Sequence, residues 1–269
     1  MRRLLFLSGL LYISTTHAQA QSQPFSIGEV QQLRSEVLSE TRTLNIYLPE
    51  GYEKNTTQTY PVIYLLDGSA NEDFVHVAGV VQFLTMIQQM PPSIIVGIAN
   101  VDRKRDFTFP TTVEADKKAY PTTGQSEKFI RFMEQELQPF VQQHFRANSV
   151  RTIVGQSLGG LLASEILITR PRLFNRYVIV SPSLWWDNES LLAKIKYSKP
   201  VDAQVFIAVG TEGKQMEHDA KLLSEKLTNP VVTGMAVRFV PMPAENHLTI
   251  LHHAVYMGLQ VLNAKKEQE

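Results

Sequence analysis

The 269-residue sequence has no cysteine, only two tryptophans and no excess of either charge, with 26 Lys plus Arg against 26 Asp plus Glu. Without cysteine there is no disulfide scaffold, Cys-ligated zinc, iron–sulfur cluster, lipoprotein anchor or thiol nucleophile. A balanced charge argues against nucleic-acid binding, which normally shows a basic excess or stripe. No apolar run approaches the ~20 residues of a membrane-spanning helix. Hydrophobic residues make up 43% of the chain, too many for a disordered segment. A chain of this length buries roughly three quarters of its unfolded surface and needs no covalent staple.

The first twenty residues read as a leader rather than as fold. Arg2 and Arg3 form a basic start, Leu4 to Ile13 is an apolar run broken by Ser8 and Gly9, and Ala18-Gln19-Ala20 supplies small residues at cleavage spacing. This is the pattern of a secretory signal peptide. Its removal leaves 249 residues of net charge −2, an exported, periplasmic or secreted chain with no membrane insertion of its own.

Residues 21–269 show no repeat or linker, so a single domain is expected. Residues 27–38 and 42–49 alternate as a hairpin would. Thereafter short apolar runs (62–66, 94–98, 152–154, 177–180, 205–209 and 237–240) alternate with helix-like stretches. Runs apolar on both faces suit parallel strands covered by helices. Phe129, Phe132, Met133, Leu137, Phe140 and Val141 share one helical face between Ser126 and Arg146, where Pro139 should kink or end the helix. The fold class is therefore α/β: a mostly parallel sheet with helices on both faces and an N-terminal antiparallel hairpin. Ligands in such sheets bind at the carboxyl ends of the strands.

One motif sits at such an end. Gly155-Gln156-Ser157-Leu158-Gly159-Gly160 follows the 152–154 run and precedes a helix-like stretch, matching the G-x-S-x-G turn on which a serine nucleophile is exposed. Ser157 is the candidate nucleophile. The base should follow it in the chain, and His247, in a short loop after the last expected strand, fits better than His252 or His253, which lie in a terminal helix-like stretch where a solvated or packed role is expected. Glu212, just beyond the 205–209 run, is the first choice for the acid, with Glu217, Asp219 or no acid left open. The oxyanion donors are expected to be the amides of Leu158 and Ser69. Asp67 comes too early in the chain for the acid and reads as structural.

The blocks Leu65-Leu66-Asp67-Gly68, Arg105-Asp106-Phe107-Thr108, Glu136 to Phe140, Gly155 to Gly160, Pro171 to Phe174, Ser181-Pro182-Ser183-Leu184-Trp185-Trp186-Asp187 and Glu245-Asn246-His247, in this order and spacing, span most of the chain. With them the sequence resembles bacterial esterases related to esterase D, and among these the periplasmic iron-enterobactin and other siderophore esterases. The resemblance implies an α/β-hydrolase fold and ester hydrolysis through Ser157 and His247, with a small-molecule ester as partner and no cofactor or metal. S-formylglutathione hydrolases, feruloyl esterases and acyltransferases belong to the same group and stay open, as does a non-catalytic exported binding protein. The oligomeric state is left open. Trp185 and Trp186 are expected beside the pocket, one lining it and one in the core, and Arg105, within the cations Arg103-Lys104-Arg105, is a candidate for attracting an acidic, catecholate-like ligand.

Overall fold

The computed structural model describes residues 22–196, 201–228 and 234–264; the expected leader lies outside the described residues. Strand β1 (Glu29–Ser35) and β2 (Glu40–Tyr47) form the N-terminal hairpin, in register from Glu29 opposite Ile46 to Ser35 opposite Glu40. Strands β3 (Tyr60–Leu65), β4 (Ile94–Ile98), β5 (Ala147–Gln156), β6 (Arg176–Val180), β7 (Ala203–Gly210) and β8 (Met235–Met242) follow, giving an eight-stranded sheet of order β1-β2-β4-β3-β5-β6-β7-β8. The hairpin joins antiparallel to β4, and every pairing from β4 to β8 is parallel.

Successive strand residues point to opposite faces, and both faces are buried here. Tyr64, Val96, Ile153, Ile179, Val205 and Ile207 look into one core. Ile63, Leu65, Val154, Val178, Phe206 and Ala208 look into the other. The second is closed by α1 (Phe74–Met86) and α9 (Ile250–Asn263). In α9 the buried residues Ile250, Leu251, Ala254, Val255, Gly258, Leu259 and Leu262 repeat every three to four positions, the stripe of a helix lying on a sheet.

The first core is covered by α4 (Ser126–Phe132), α5 (Gln138–His144), α6 (Leu158–Thr169) and α8 (Lys214–Thr228). Helix α6 is buried on all sides from Leu158 to Ile168. Pro139 does not end the 126–144 helix. A π-helical turn, Met133–Leu137, links α4 to α5 and places Pro139 in the first turn of α5, where its missing N–H leaves no bond unmade. Short helices α2 (Arg103–Phe107), α3 (Glu114–Ala119) and α7 (Ser190–Ala193) lie in the connections beyond β4 and β6.

Strand order reverses at β3, which is flanked by β4 on one side and β5 on the other. A crevice opens outside the carboxyl ends of the strands at such a reversal, and the turns leaving β3, β5, β6 and β7 converge there.

Candidate active site

Ser157 stands between β5 and α6 with φ 58° and ψ −119°, a conformation that costs a non-glycine residue about 1–3 kcal/mol. The surroundings hold it there. Its amide donates to Val180 O at 3.0 Å, and its carbonyl accepts from Leu161 N at 2.9 Å and from Ser183 N at 3.0 Å. The turn is tight enough to demand glycine at both ends. A Cβ on Gly155 would lie 2.5 Å from Gly159 O, and one on Gly160 would lie 2.9 Å from Pro182 Cα. Leu158 opens α6, so its amide is among the donors that a first helical turn leaves without an intrahelical acceptor.

His247 lies between β8 and α9. Its carbonyl accepts from Gln156 Nε2 at 2.5 Å, so the residue before the candidate nucleophile reaches across to the candidate base. The loop is also tied to the end of β7 by Thr211 N to Glu245 O at 2.8 Å. His247 Nδ1 is 2.5 Å from Glu212 Oε2; the carboxylate side chain is 3% exposed and the imidazole 42%. The other carboxylate oxygen, Oε1, accepts from Ser181 Oγ and from Gly210 N at 3.0 Å. Burial raises the Glu212 pKa, but the hydrogen bonds from His247, Ser181 and the Gly210 amide outweigh it and hold the pKa below the ordinary carboxylate value. An ionised Glu212 keeps a proton on Nδ1 and leaves the Nε2 lone pair free to accept one.

Glu217 and Asp219 take other places. Glu217 Oε1 accepts the amides of Glu212 at 3.0 Å and Gly213 at 3.1 Å, closing the loop before α8. Asp219 is buried in α8, and burial followed by Glu189 pushes its pKa up to about 6 against the opposing effect of His218. Of the terminal histidines, His252 lies against His76 with ring centroids 3.5 Å apart and a 41° tilt, and His253 Nδ1 lies 2.5 Å from Glu245 Oε1.

Ser157, His247 and Glu212 line one cleft of about 500 Å³ together with Tyr120, Ser183 and Trp185. A larger hollow of about 800 Å³ near Met90, Pro91 and Asn263 has no ionisable residue in its lining. Trp185 is partly exposed on the cleft wall, 6.2 Å from the Tyr120 ring. Lys104 Nζ sits 4.8 Å above that ring's centroid.

One of the two tryptophans belongs to the core, as expected, and the Arg105 contact is corrected. Trp186 is fully buried and donates from Nε1 to Phe109 O at 2.9 Å, so it packs the core and cannot meet a substrate. Arg105 is directed away from the cleft: it donates to Glu40 at 2.7 and 3.1 Å and to Asp106 at 2.7 Å, in an ion-pair cluster completed by buried Arg42. The Asp106 hydrogen bond leads the effects that hold its pKa above the ordinary guanidinium value, against burial. Arg103 instead reaches the elbow backbone: it grips Asp67 at 2.6 and 2.9 Å and donates to Gln156 O at 3.1 Å. The Ser69 amide donates to Glu72 Oε2 at 3.3 Å, in the turn that leaves β3. Gln156, Ser181 and Ser183 went without a role in the sequence reading, although Ser181 and Ser183 stand directly after a strand, where this sheet gathers its chemistry.

A sheet of this order, with a serine on a strained strand-to-helix turn and a histidine–carboxylate pair beside it, defines the α/β-hydrolase class. The chain belongs to the esterase family, whose model, described as "Putative esterase", matches residues 35–233. It is 30% identical over 250 residues to the ferri-bacillibactin esterase BesA of Bacillus subtilis, covering 82% of this chain and 85% of the relative. An IroE-like serine hydrolase from Shewanella oneidensis superposes with a TM-score of 0.79 at 32% identity, covering 89% of this chain and 82% of that one. The BES protein from Bacillus cereus superposes with the same score at 28% identity, covering 93% and 100%. The chain is thus an esterase-family hydrolase. Among the described residues no helix is long and apolar enough to cross a membrane, and no group of three or more His, Cys, Asp or Glu is placed to hold a metal ion.

Proposed function

We propose that the protein is a serine carboxylic-ester hydrolase working through an acyl-enzyme on Ser157. The observation that carries this reading is the 2.5 Å contact between Glu212 and His247 Nδ1 in the cleft that holds Ser157. His247 Nε2 takes the Ser157 proton as Oγ attacks the ester carbonyl, and returns it to the departing alcohol oxygen. A water deprotonated by the same nitrogen then attacks the acyl-enzyme, and Ser157 leaves with the proton restored. The Leu158 amide binds the oxyanion, worth about 3 kcal/mol in the transition state, and the Ser69 amide, which donates to Glu72 Oε2 at 3.3 Å, joins it only on leaving that carboxylate.

The proposed substrates are siderophore esters of the triscatecholate lactone type. The names of the relatives support a siderophore ester, and the aromatic wall of Tyr120 and Trp185 with the Lys104 ammonium above Tyr120 suits anionic catechol rings. Export after removal of residues 1–20 completes the reading. The test is a substrate panel of p-nitrophenyl butyrate, a feruloyl ester and ferric and iron-free triscatecholate lactones, run with the mature protein and with Ser157→Ala. The wild type should hydrolyse the lactones with the highest kcat/KM, and Ser157→Ala none of the panel. A preference for the feruloyl ester would overturn the substrate class, and turnover by Ser157→Ala would overturn the nucleophile.

A further inference from the structure

The turn leaving β6 touches both ends of the Ser157, His247 and Glu212 arrangement, although neither of its serines was assigned to it. Ser181 is fully buried at φ 43°, a positive φ that its bond to Ala208 O at 2.8 Å helps to fix, and its hydroxyl donates to Glu212 Oε1. Ser183 is 2% exposed; its hydroxyl lies 3.3 Å from Ser157 Oγ and its amide holds the Ser157 carbonyl at 3.0 Å. Pro182, between them, packs on Gly160 of the elbow. Strain at Ser181 is therefore kept where a buried hydroxyl meets the carboxylate, and it needs a compensating use.

We propose that Ser181-Pro182-Ser183 is a two-hydroxyl clamp, in which Ser181 orients Glu212 so that Oε2 faces His247 and Ser183 orients the Ser157 side chain for attack. Both are positioning residues, and the inference rests on the serine-hydrolase reading above. With Ser181 and the Gly210 amide occupying Oε1, the carboxylate has one oxygen left for the imidazole and one way to turn it. Glu217 of α8 closes the Glu212 loop by accepting the Glu212 and Gly213 amides. Glu212 faces His247 from the loop after β7, Glu245 on the base's own loop is taken up by His253 of α9, and Arg103 reaches the elbow backbone while paired with Asp67.

The test uses Ser181→Gly, since glycine accepts the positive φ, together with Ser183→Ala, Ser183→Thr and Ser157→Ala, each checked for wild-type melting. The readouts are the pH profile of p-nitrophenyl butyrate hydrolysis and the rate of fluorophosphonate labelling. A carboxylate relieved of one donor holds the imidazolium more strongly, so Ser181→Gly should move the acidic limb of kcat/KM upward by about half a pH unit. Ser183→Ala should slow labelling and lower kcat/KM up to about tenfold, the loss of one hydrogen bond, with KM and the acidic limb unmoved, and Ser183→Thr should restore most of it. An unmoved limb in Ser181→Gly, labelling of Ser183→Ala within about twofold of wild type, or Ser183→Thr as slow as Ser183→Ala would each overturn the clamp. An inactive wild type or an active Ser157→Ala would instead strike the serine-hydrolase reading on which it rests.

Discussion

Replacing Glu212 by glutamine separates an acid that orients the base from one that only fills space. Oε1 of Glu212 receives two donors, the Ser181 hydroxyl and the Gly210 amide, whereas Oε2 meets His247 Nδ1. Glutamine, nearly isosteric, must put its carbonyl oxygen toward the two donors and its NH2 group toward the imidazole. Nδ1 then has to accept, which moves the ring proton to Nε2 and removes the lone pair that takes the Ser157 proton. A wrong-tautomer substitution of this kind costs roughly 10⁴ in kcat in the serine-protease triad, about 5 kcal/mol of transition-state stabilisation. Glu212→Gln should therefore lose about three to four decades of kcat near pH 7 with KM little changed. Glu212→Ala, in which water can accept from Nδ1–H, should lose less, about two to three decades. The assay is steady-state hydrolysis of p-nitrophenyl butyrate on protein of verified melting temperature. Glu212→Gln retaining more than about a tenth of wild-type kcat, or being more active than Glu212→Ala, would refute the orientation argument.

Three further outcomes follow from the same geometry. Trp185→Ala should raise KM for aryl esters about tenfold without changing the urea midpoint, whereas Trp186→Ala, which empties the core and orphans Phe109 O, should cost about 3–5 kcal/mol in urea unfolding with little direct effect on KM. Gly155→Ala should yield insoluble or inactive protein, because the added Cβ meets Gly159 O at 2.5 Å; solubility and labelling by a fluorophosphonate report it. Asp187, partly desolvated but bound by the Thr112 amide and by the hydroxyls of Ser190, Thr112 and Thr111, has its pKa lowered to about 2. Its folded-state pKa lies below the unfolded one, so its stabilisation is complete above pH ~4 and disappears as pH falls through about 2. Asp187→Asn should therefore be destabilised by about 2 kcal/mol at pH 7, with the difference from wild type closing in acid, as read by urea unfolding across pH.

The sheet was legible because strands buried on both faces leave short β-branched runs between longer amphipathic ones, and each expected run falls within a strand of the structure or passes its end by one residue. The elbow was legible because its demand is local: glycines and a serine at fixed spacing between a strand and a helix. The carboxylate that meets His247 was harder to read, since Glu212, Glu217 and Asp219 lie within eight residues, Glu212 in the loop before α8 and the other two at different phases of its first turns. Phase also explains the cations. Arg103 and Arg105 stand two residues apart on α2, about 200° around the helix, so one reaches the elbow and the other the Glu40 and Asp106 cluster. Trp185 and Trp186 are neighbours in an irregular turn, where no periodicity says which ring goes inward. The contacts of Ser181, Ser183 and Gln156 run between segments 26 to 91 residues apart, which local spacing does not encode.

The central claim is that Ser157 carries the acyl group during turnover. The direct measurement is intact-mass and peptide mapping of the protein lacking residues 1–20, acid-quenched during turnover of p-nitrophenyl acetate. One acetyl group per chain, located on the peptide containing Ser157 and absent from Ser157→Ala, is the predicted result. Full turnover with no covalent acyl-enzyme, or an acetyl group mapped to another side chain, would contradict it.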